Sequence, residues 1–167
     1  GVLLTDAAVG HREILTLLRR GVKVLGGGSM GALRAAELSD MGMIGVGRIF
    51  KEYSSGRING DDEVVLAYDP FSLRPLSEPL INLRLNIEAA AGRGIISAEA
   101  SSRLIDALKR TYYPKRTFER LDKIARELLE KTEFEAFSFF LKNERMDHKR
   151  NDAILLIKAV KDEPRFF

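Results

Sequence analysis

The first third of the chain alternates short apolar runs with stretches of helical spacing. Residues 2–4 predict a strand, 11–20 a helix that Gly21 ends, 22–25 a second strand, and 32–38 a second helix. This order of elements favours parallel strands joined by a right-handed crossover. It also favours a functional site at the carboxyl ends of the strands, just after residue 25.

The rest of the chain predicts one more strand and then helices. Residues 64–68 read as a third strand that Asp69-Pro70 ends. Helical spacing follows near 80–92, 98–111, 118–131, 133–143 and 151–162, with Ser77, Ser97, Thr117 and Thr132 as candidate caps. The fold class is therefore α/β, with a short parallel sheet in an N-terminal βαβα Rossmann-like unit and an all-helical C-terminal half. We expect an α/β core over 1–70 and a helical region over 71–167 packed on it.

A glycine-rich turn, residues 26–31, joins the second strand to the second helix. Gly-Gly-Ser-Met-Gly over 27–31 satisfies G-x-S-x-G, in which a strained serine projects its hydroxyl beyond a strand. The same stretch satisfies G-x-G-x-x-G through Gly26, Gly28 and Gly31, which cradles a pyrophosphate at a helix N-terminus. A third interpretation is that the glycines only permit close helix–strand packing, with Ser29 as the helix cap.

The downstream sequence bears on this choice. A dinucleotide site requires a second strand that ends in an acid about 20 residues past the motif, whereas residues 45–56 have helical spacing. A second glycine loop of the form Pro-Gly-Gly-x-Gly-Thr is also absent from the sequence. Both observations disfavour a nucleotide- or phosphosugar-binding domain, which remains the last alternative.

Composition limits the chemistry. Hydrophobic residues make up 45% and charged residues 31%, no apolar run approaches membrane-spanning length, and no signal peptide is recognisable, so we expect a cytoplasmic protein. With no cysteine and two histidines, disulfides are excluded and no metal or cofactor is expected. The net charge of +3 comes mostly from residues after Arg103, where basic pairs flank Tyr112-Tyr113. That pattern suits nucleic acid or an acidic protein, although a solvated helical face is commoner.

Several blocks in order resemble the TfuA-like family. They are His11-Arg-Glu-Ile-Leu, Gly28-Ser-Met-Gly-Ala-Leu-Arg-Ala-Ala-Glu-Leu, Gly42-Met with Gly45-Val-Gly, and Asp61-Asp-Glu-Val. The resemblance covers roughly residues 1 to 120. Family members have an additional N-terminal strand and loop before the segment that aligns with Gly1-Val2-Leu3.

The resemblance implies a partner of YcaO enzymes, which activate a peptide amide as a phosphate ester during backbone thioamidation. It further implies an accessory hydrolase that releases sulfide from the C-terminal thiocarboxylate of a ThiS-like ubiquitin-fold sulfur carrier. A poised serine with oxyanion donors suits that chemistry, because a thiocarboxylate is an acyl group with a sulfur leaving group. The absence of cysteine excludes a persulfide on this chain.

The predicted catalytic group is built on the turn. Ser29 is the candidate nucleophile, and Met30 with the turn glycines Gly27, Gly28 and Gly31 would form the oxyanion or anion site at the helix N-terminus. In an alternative mechanism, the same atoms only bind the carboxylate end of the carrier, and a water molecule attacks the thiocarboxylate. His11 is the candidate general base, since imidazole titrates near neutrality.

Acids and arginines complete the candidate site. Asp62 is the expected partner of His11, while Asp61 and Glu63 are expected to bind a basic group of the partner; the alternative is a solvated turn with one capping acid. Arg34 could bind a carboxylate or pair with Glu37 at i,i+3. Arg84 lies in an apolar helix and needs a partner, either at the site or in an interdomain salt bridge.

Two further expectations concern assembly. The main alternative to an enzyme is a non-enzymatic adaptor that docks YcaO and the sulfur carrier through the helical half. Neither nucleic acid nor membrane is an expected partner, and a homo-oligomer is possible.

Overall fold

The computed structural model describes residues 9–162. Its elements in chain order are α1 (His11–Arg19), β1 (Leu25–Gly27), α2 (Met30–Glu37), β2 (Ile44–Val46), α3 (Arg48–Ser54), α4 (Leu80–Gly92), α5 (Ala98–Arg110), α6 (Phe118–Leu128), α7 (Lys131–Glu144) and α8 (His148–Lys161). The strand predicted for residues 2–4 lies outside the described residues. None of the helices in 9–162 has the length and apolar character needed to span a bilayer.

The predicted fold class is confirmed. Strands β1 and β2 pair in parallel, with Leu25 opposite Ile44 and Gly27 opposite Val46, and helices follow through the C-terminal half. The helix predicted over 32–38 is α2, and it starts directly after the glycine turn. The sheet is short because each strand has three residues.

The strand predicted for residues 64–68 is wrong. Between residues 9 and 162 the second strand is instead β2 (Ile44–Val46), which was not predicted from the sequence. Residues near 64 follow a 3₁₀ turn, and Tyr68 forms a single antiparallel bridge with Pro75. The Asp69 carboxylate accepts hydrogen bonds from the Phe71 and Ser72 amides, which turns the chain before a strand can extend.

The described residues form two compact units. The first comprises the segment up to Asp61 together with the segment from Asp147 onward, so α8 belongs with α1, β1, α2, β2 and α3. Its core includes Ile14, Ala35, Leu38 and Met43. Helix α8 packs against β1, β2 and α3.

The second unit, Asp62–Met146, is a helical bundle built from α4 to α7. Its core gathers apolar residues from all four helices, among them Leu83, Leu104, Leu121 and Phe137. The predicted caps Ser97 and Thr117 are confirmed, because each side chain accepts a hydrogen bond from a first-turn amide. Ser77 and Thr132 do not cap; the N-cap residues of α4 and α7 are Pro79 and Glu130.

Candidate functional site

The glycine turn makes two close backbone contacts and includes one residue with a positive φ. A Cβ atom on Gly26 would lie 2.1 Å from the Gly31 carbonyl oxygen, and one on Gly27 would lie 2.6 Å from the Val46 carbonyl oxygen. Gly28 adopts φ +70°, a conformation that other residues adopt rarely. These glycines therefore let α2 cross β1 closely and let the chain turn toward Ser29.

Ser29 ends the turn and precedes α2. Its backbone is extended at φ −160°, and the positive φ of the turn is at Gly28. Its side chain makes no capping hydrogen bond, contrary to the capping interpretation. The residue is half-buried. The hydroxyl is thus available at the carboxyl end of β1.

Two backbone amides without an acceptor in the described part of the chain follow Ser29 in the first turn of α2. The Ser29 amide donates to the Gly27 carbonyl oxygen at 2.8 Å, and the Ala32 amide donates to the Ser29 carbonyl oxygen. The amides of Met30 and Gly31 have no acceptor among the described residues. Because the partial positive charge of α2 is concentrated at the same end, this pair can stabilise a negative oxygen.

Helix α8 covers one side of the turn. A Cβ atom on Gly28 would lie 3.3 Å from the Lys149 carbonyl oxygen and 3.5 Å from the Ala153 amide nitrogen. Gly28 is buried by this contact. No local pattern predicts this contact, because about 120 residues separate the two segments.

The same helix places a carboxylate at the end of β2. Asp152 accepts hydrogen bonds from the amides of Arg48 at 2.9 Å and Ile49 at 2.8 Å, the first residues of α3. Asp152 is 2% exposed. In a dinucleotide-binding site, an acid at the end of the second strand binds the ligand. Here the acid at the end of β2 is Asp152 of α8, and its carboxylate accepts hydrogen bonds from the amides of Arg48 and Ile49. Residues 48–54 are helical, as predicted, but β2 precedes them.

His148, at the start of α8, is a titratable group that the sequence reasoning did not consider. It is 7% exposed, and its Nε2 atom has no hydrogen-bond partner in the described residues. Burial lowers the pKa of this imidazole, and the nearby Arg48 guanidinium lowers it further, while Asp152, Asp147 and Glu52 oppose the shift. His148 is therefore a neutral buried imidazole near neutral pH.

The predicted base, His11, is engaged elsewhere. Its Nε2 atom lies 2.8 Å from Glu37 Oε2, which also accepts from Arg34 Nη1 at 2.6 Å. The i,i+3 alternative for Arg34 is therefore observed. The Arg34 Nε atom is buried without a partner. Glu37, the last residue of α2, is the acid that contacts His11, whereas the sequence predicted Asp62 in this position.

The three consecutive acids have separate environments. Asp62 accepts a hydrogen bond from Arg116 Nη2 at 2.9 Å. Glu63 is 2% exposed and binds Arg84 through both carboxylate oxygens, at 3.2 and 2.5 Å. Asp61 is exposed. Arg84 therefore has the partner that its apolar helix requires, and that partner is another predicted site residue within the same unit.

The first unit has an α/β fold. Ser29 and the amides of Met30 and Gly31, which have no acceptor among the described residues, follow the carboxyl end of its parallel strand β1. A family model described as TfuA-like protein matches residues 1–117, and the chain belongs to this family. Membership associates the chain with peptide backbone thioamidation. No curated protein sequence matches the chain. Helices α6, α7 and α8, with Asp152 and His148, lie beyond the matched segment.

Proposed function

We propose that this protein is a serine-dependent hydrolase that supplies sulfide for YcaO-dependent thioamidation. Its substrate is the C-terminal thiocarboxylate of a ThiS-like sulfur carrier, and Ser29 is the nucleophile. The observation that carries the proposal is the half-buried, non-capping Ser29 hydroxyl beside the unpaired Met30 and Gly31 amides.

The reaction has two balanced steps. The Ser29 Oγ atom attacks the thiocarboxylate carbon and a C–O bond forms while the base takes the serine proton; the C–S bond then breaks, the base returns that proton to the sulfur, and hydrosulfide leaves with the electron pair. Water then attacks the acyl-serine ester, which returns the serine hydroxyl and releases the carrier as a carboxylate. In both steps the negative oxygen of the tetrahedral intermediate would be stabilised by the Met30 and Gly31 amides.

His11 remains the proposed general base, but the acid that orients it is Glu37 and not Asp62. Since Glu37 accepts at Nε2 of His11, the carboxylate fixes the ring orientation and leaves Nδ1 as the nitrogen that can accept a proton. Arg34 Nη1 shares the same Glu37 oxygen and holds it in place.

A direct assay tests the nucleophile. Thiocarboxylated carrier is mixed with wild type, Ser29→Ala or Ser102→Ala, and hydrosulfide is followed with a thiol-reactive dye. Ser102 is exposed on α5 and provides a matched control. We expect Ser29→Ala to slow release by about a thousandfold or more, and Ser102→Ala to be unchanged. Equal hydrosulfide release by all three proteins would show that Ser29 is not the nucleophile.

The second candidate is a non-enzymatic adaptor that docks YcaO and the carrier. The contact of the Lys149 carbonyl with Gly28 favours it, because α8 closes one side of the turn to a substrate. Under the adaptor hypothesis, thioamidation in a reaction with YcaO and thiocarboxylated carrier would be retained by Ser29→Ala. Loss of thioamidation in that reaction, with rescue by added sulfide, would favour the hydrolase.

A further inference from the structure

A second candidate site lies in the helical unit, on residues that the serine chemistry does not use. A groove of about 520 Å³ is formed where α5 ends and α6 begins. It is lined by Ala107, Arg110, Thr111, Tyr112, Lys115 and Arg120. The three cationic side chains come from three elements: the last turn of α5, the short 3₁₀ turn that follows it, and the first turn of α6.

The cations of the groove have no counter-charge. Within residues 9–162 none of Arg110, Lys115 or Arg120 forms an ion pair, and Arg110 only donates to the Asp106 carbonyl oxygen. All three are exposed. The helical unit as a whole is balanced, with 14 Lys and Arg against 14 Asp and Glu over residues 62–146. The positive charge is therefore local to the groove, as expected of a site for a discrete anionic ligand.

A buried arginine holds the groove rigid. Arg116 is 3% exposed, and its guanidinium donates to the carbonyl oxygens of Leu108, Lys109 and Thr111 and to Asp62. These bonds tie the end of α5 to the segment that carries Tyr112 and Lys115. Because the scaffold is fixed before binding, less conformational entropy is lost when a ligand orders the cations.

The lining also distinguishes between anionic ligands. The amides of Thr111, Lys115, Arg116 and Arg120 all donate to protein acceptors, so these four cannot bind a phosphate. The binding groups are separate point charges together with the Tyr112 ring, which is 65% exposed and rests edge-on against Tyr113. Spaced carboxylates and an apolar side chain match this arrangement better than a compact phosphate does.

We propose that the groove of Arg110, Lys115, Arg120 and Tyr112 binds an acidic peptide segment of a partner protein. The carboxylates pair with the three cations, and an apolar or aromatic residue of the segment packs on Tyr112. This site is independent of Ser29, so that sulfide release and peptide binding can be lost separately.

Fluorescence anisotropy tests the proposal on the full chain. The probe is a fluorescein-labelled twelve-residue peptide with four Glu and one Tyr, compared with its Glu→Gln counterpart and with a twelve-nucleotide single-stranded RNA. The groove variant is Arg110→Glu/Lys115→Glu. Its control, Lys51→Glu/Lys131→Glu, makes the same change in net charge at exposed positions that do not line the groove. Circular dichroism checks that both variants fold.

We expect the groove variant to weaken binding of the acidic peptide about tenfold or more, and the control variant to leave it nearly unchanged. Tyr112→Ala should weaken it severalfold, and added salt should weaken binding to wild type. Three results would each overturn the proposal: the Gln peptide binds as well as the Glu peptide, the two double variants are indistinguishable, or the RNA binds more tightly than the peptide.

Discussion

Asp152 lies against Gly47 so closely that a Cβ atom on the glycine would stand 2.3 Å from the Asp152 carboxyl carbon. Only glycine leaves room there for the carboxylate to reach the first two amides of α3. Gly47 also has φ +94°, which favours glycine independently. The end of β2 and the start of α8 are therefore fitted to each other, although 105 positions separate the two residues.

The first prediction concerns this contact. Asp152→Asn keeps one acceptor but turns an amide NH₂ toward the other α3 amide, which leaves a buried donor unsatisfied. We expect the free energy of unfolding to fall by about 1–3 kcal/mol, measured by urea denaturation. Asp162→Asn, at the exposed end of α8, is the matched control and should change stability little. Equal midpoints for the two variants would contradict the assigned role of Asp152.

The pH dependence of stability follows from His148. Burial holds its folded-state pKa below the ordinary value near 6.5, so below about pH 6.5 the unfolded chain binds a proton that the folded chain does not. Stability contributed by the neutral imidazole is complete above that pH and declines as the pH falls toward the folded-state pKa.

His148→Gln should therefore flatten the decline in unfolding free energy between pH 7 and pH 5, as measured by urea denaturation at several pH values. Leu155→Gln changes an exposed residue of the same helix that does not titrate, and it should retain the wild-type slope. A wild-type slope in His148→Gln would show that other groups cause the decline.

The Glu63–Arg84 pair gives a double-mutant prediction. Arg84→Met leaves a carboxylate that is 2% exposed without its partner, and we expect a loss of about 3–5 kcal/mol. Adding Glu63→Gln removes the buried charge, so the double variant should regain a large part of that loss. Additive losses in urea denaturation would contradict a buried pair.

The same variants bear on substrate binding. If the pair only stabilises the helical unit, the folded double variant should release sulfide with an unchanged KM for the thiocarboxylated carrier. A raised KM with normal folding would support the substrate-binding role that the sequence predicted for Arg84 and Glu63.

Local sequence signals predicted the helices and the turn. Caps at Ser97 and Thr117, the glycines at 26–31 and the apolar spacing of α4 to α7 are all short-range features, and the structure follows them. The strand β2 could not be predicted because Ile44 to Val46 is three residues long and contains a glycine.

Contacts between residues that are distant in the sequence could not be predicted from it. The Met30 and Gly31 amides follow Ser29 directly in the chain, so their position depends on the local turn alone. By contrast, the partners of Asp152 and Asp62 lie 54 to 104 positions away, and no periodicity encodes such pairs. The predicted partner of His11, Asp62, lies 51 positions away in the sequence, whereas the acid that the structure places beside His11 is Glu37, 26 positions away on α2.

The last prediction separates the turn glycines from ordinary ones. In Gly26→Ala the new methyl carbon would lie 2.1 Å from the Gly31 carbonyl oxygen and 2.7 Å from the Met43 methyl carbon. The side chain of Met43 can move, but the carbonyl belongs to α2, so β1 and α2 must separate. We expect the free energy of unfolding, measured by urea denaturation, to fall by about 3 kcal/mol or more. Sulfide release should be lost as well, because the Met30 and Gly31 amides move with the helix.

Gly92→Ala is the contrasting control: nothing lies within 4 Å of its Cβ position at the end of α4, so the variant should be neutral or more stable by up to about 1 kcal/mol. Similar stabilities for the two variants would show that α2 does not depend on the close crossing at Gly26, and the positioning of its amides beside Ser29 would then need another cause.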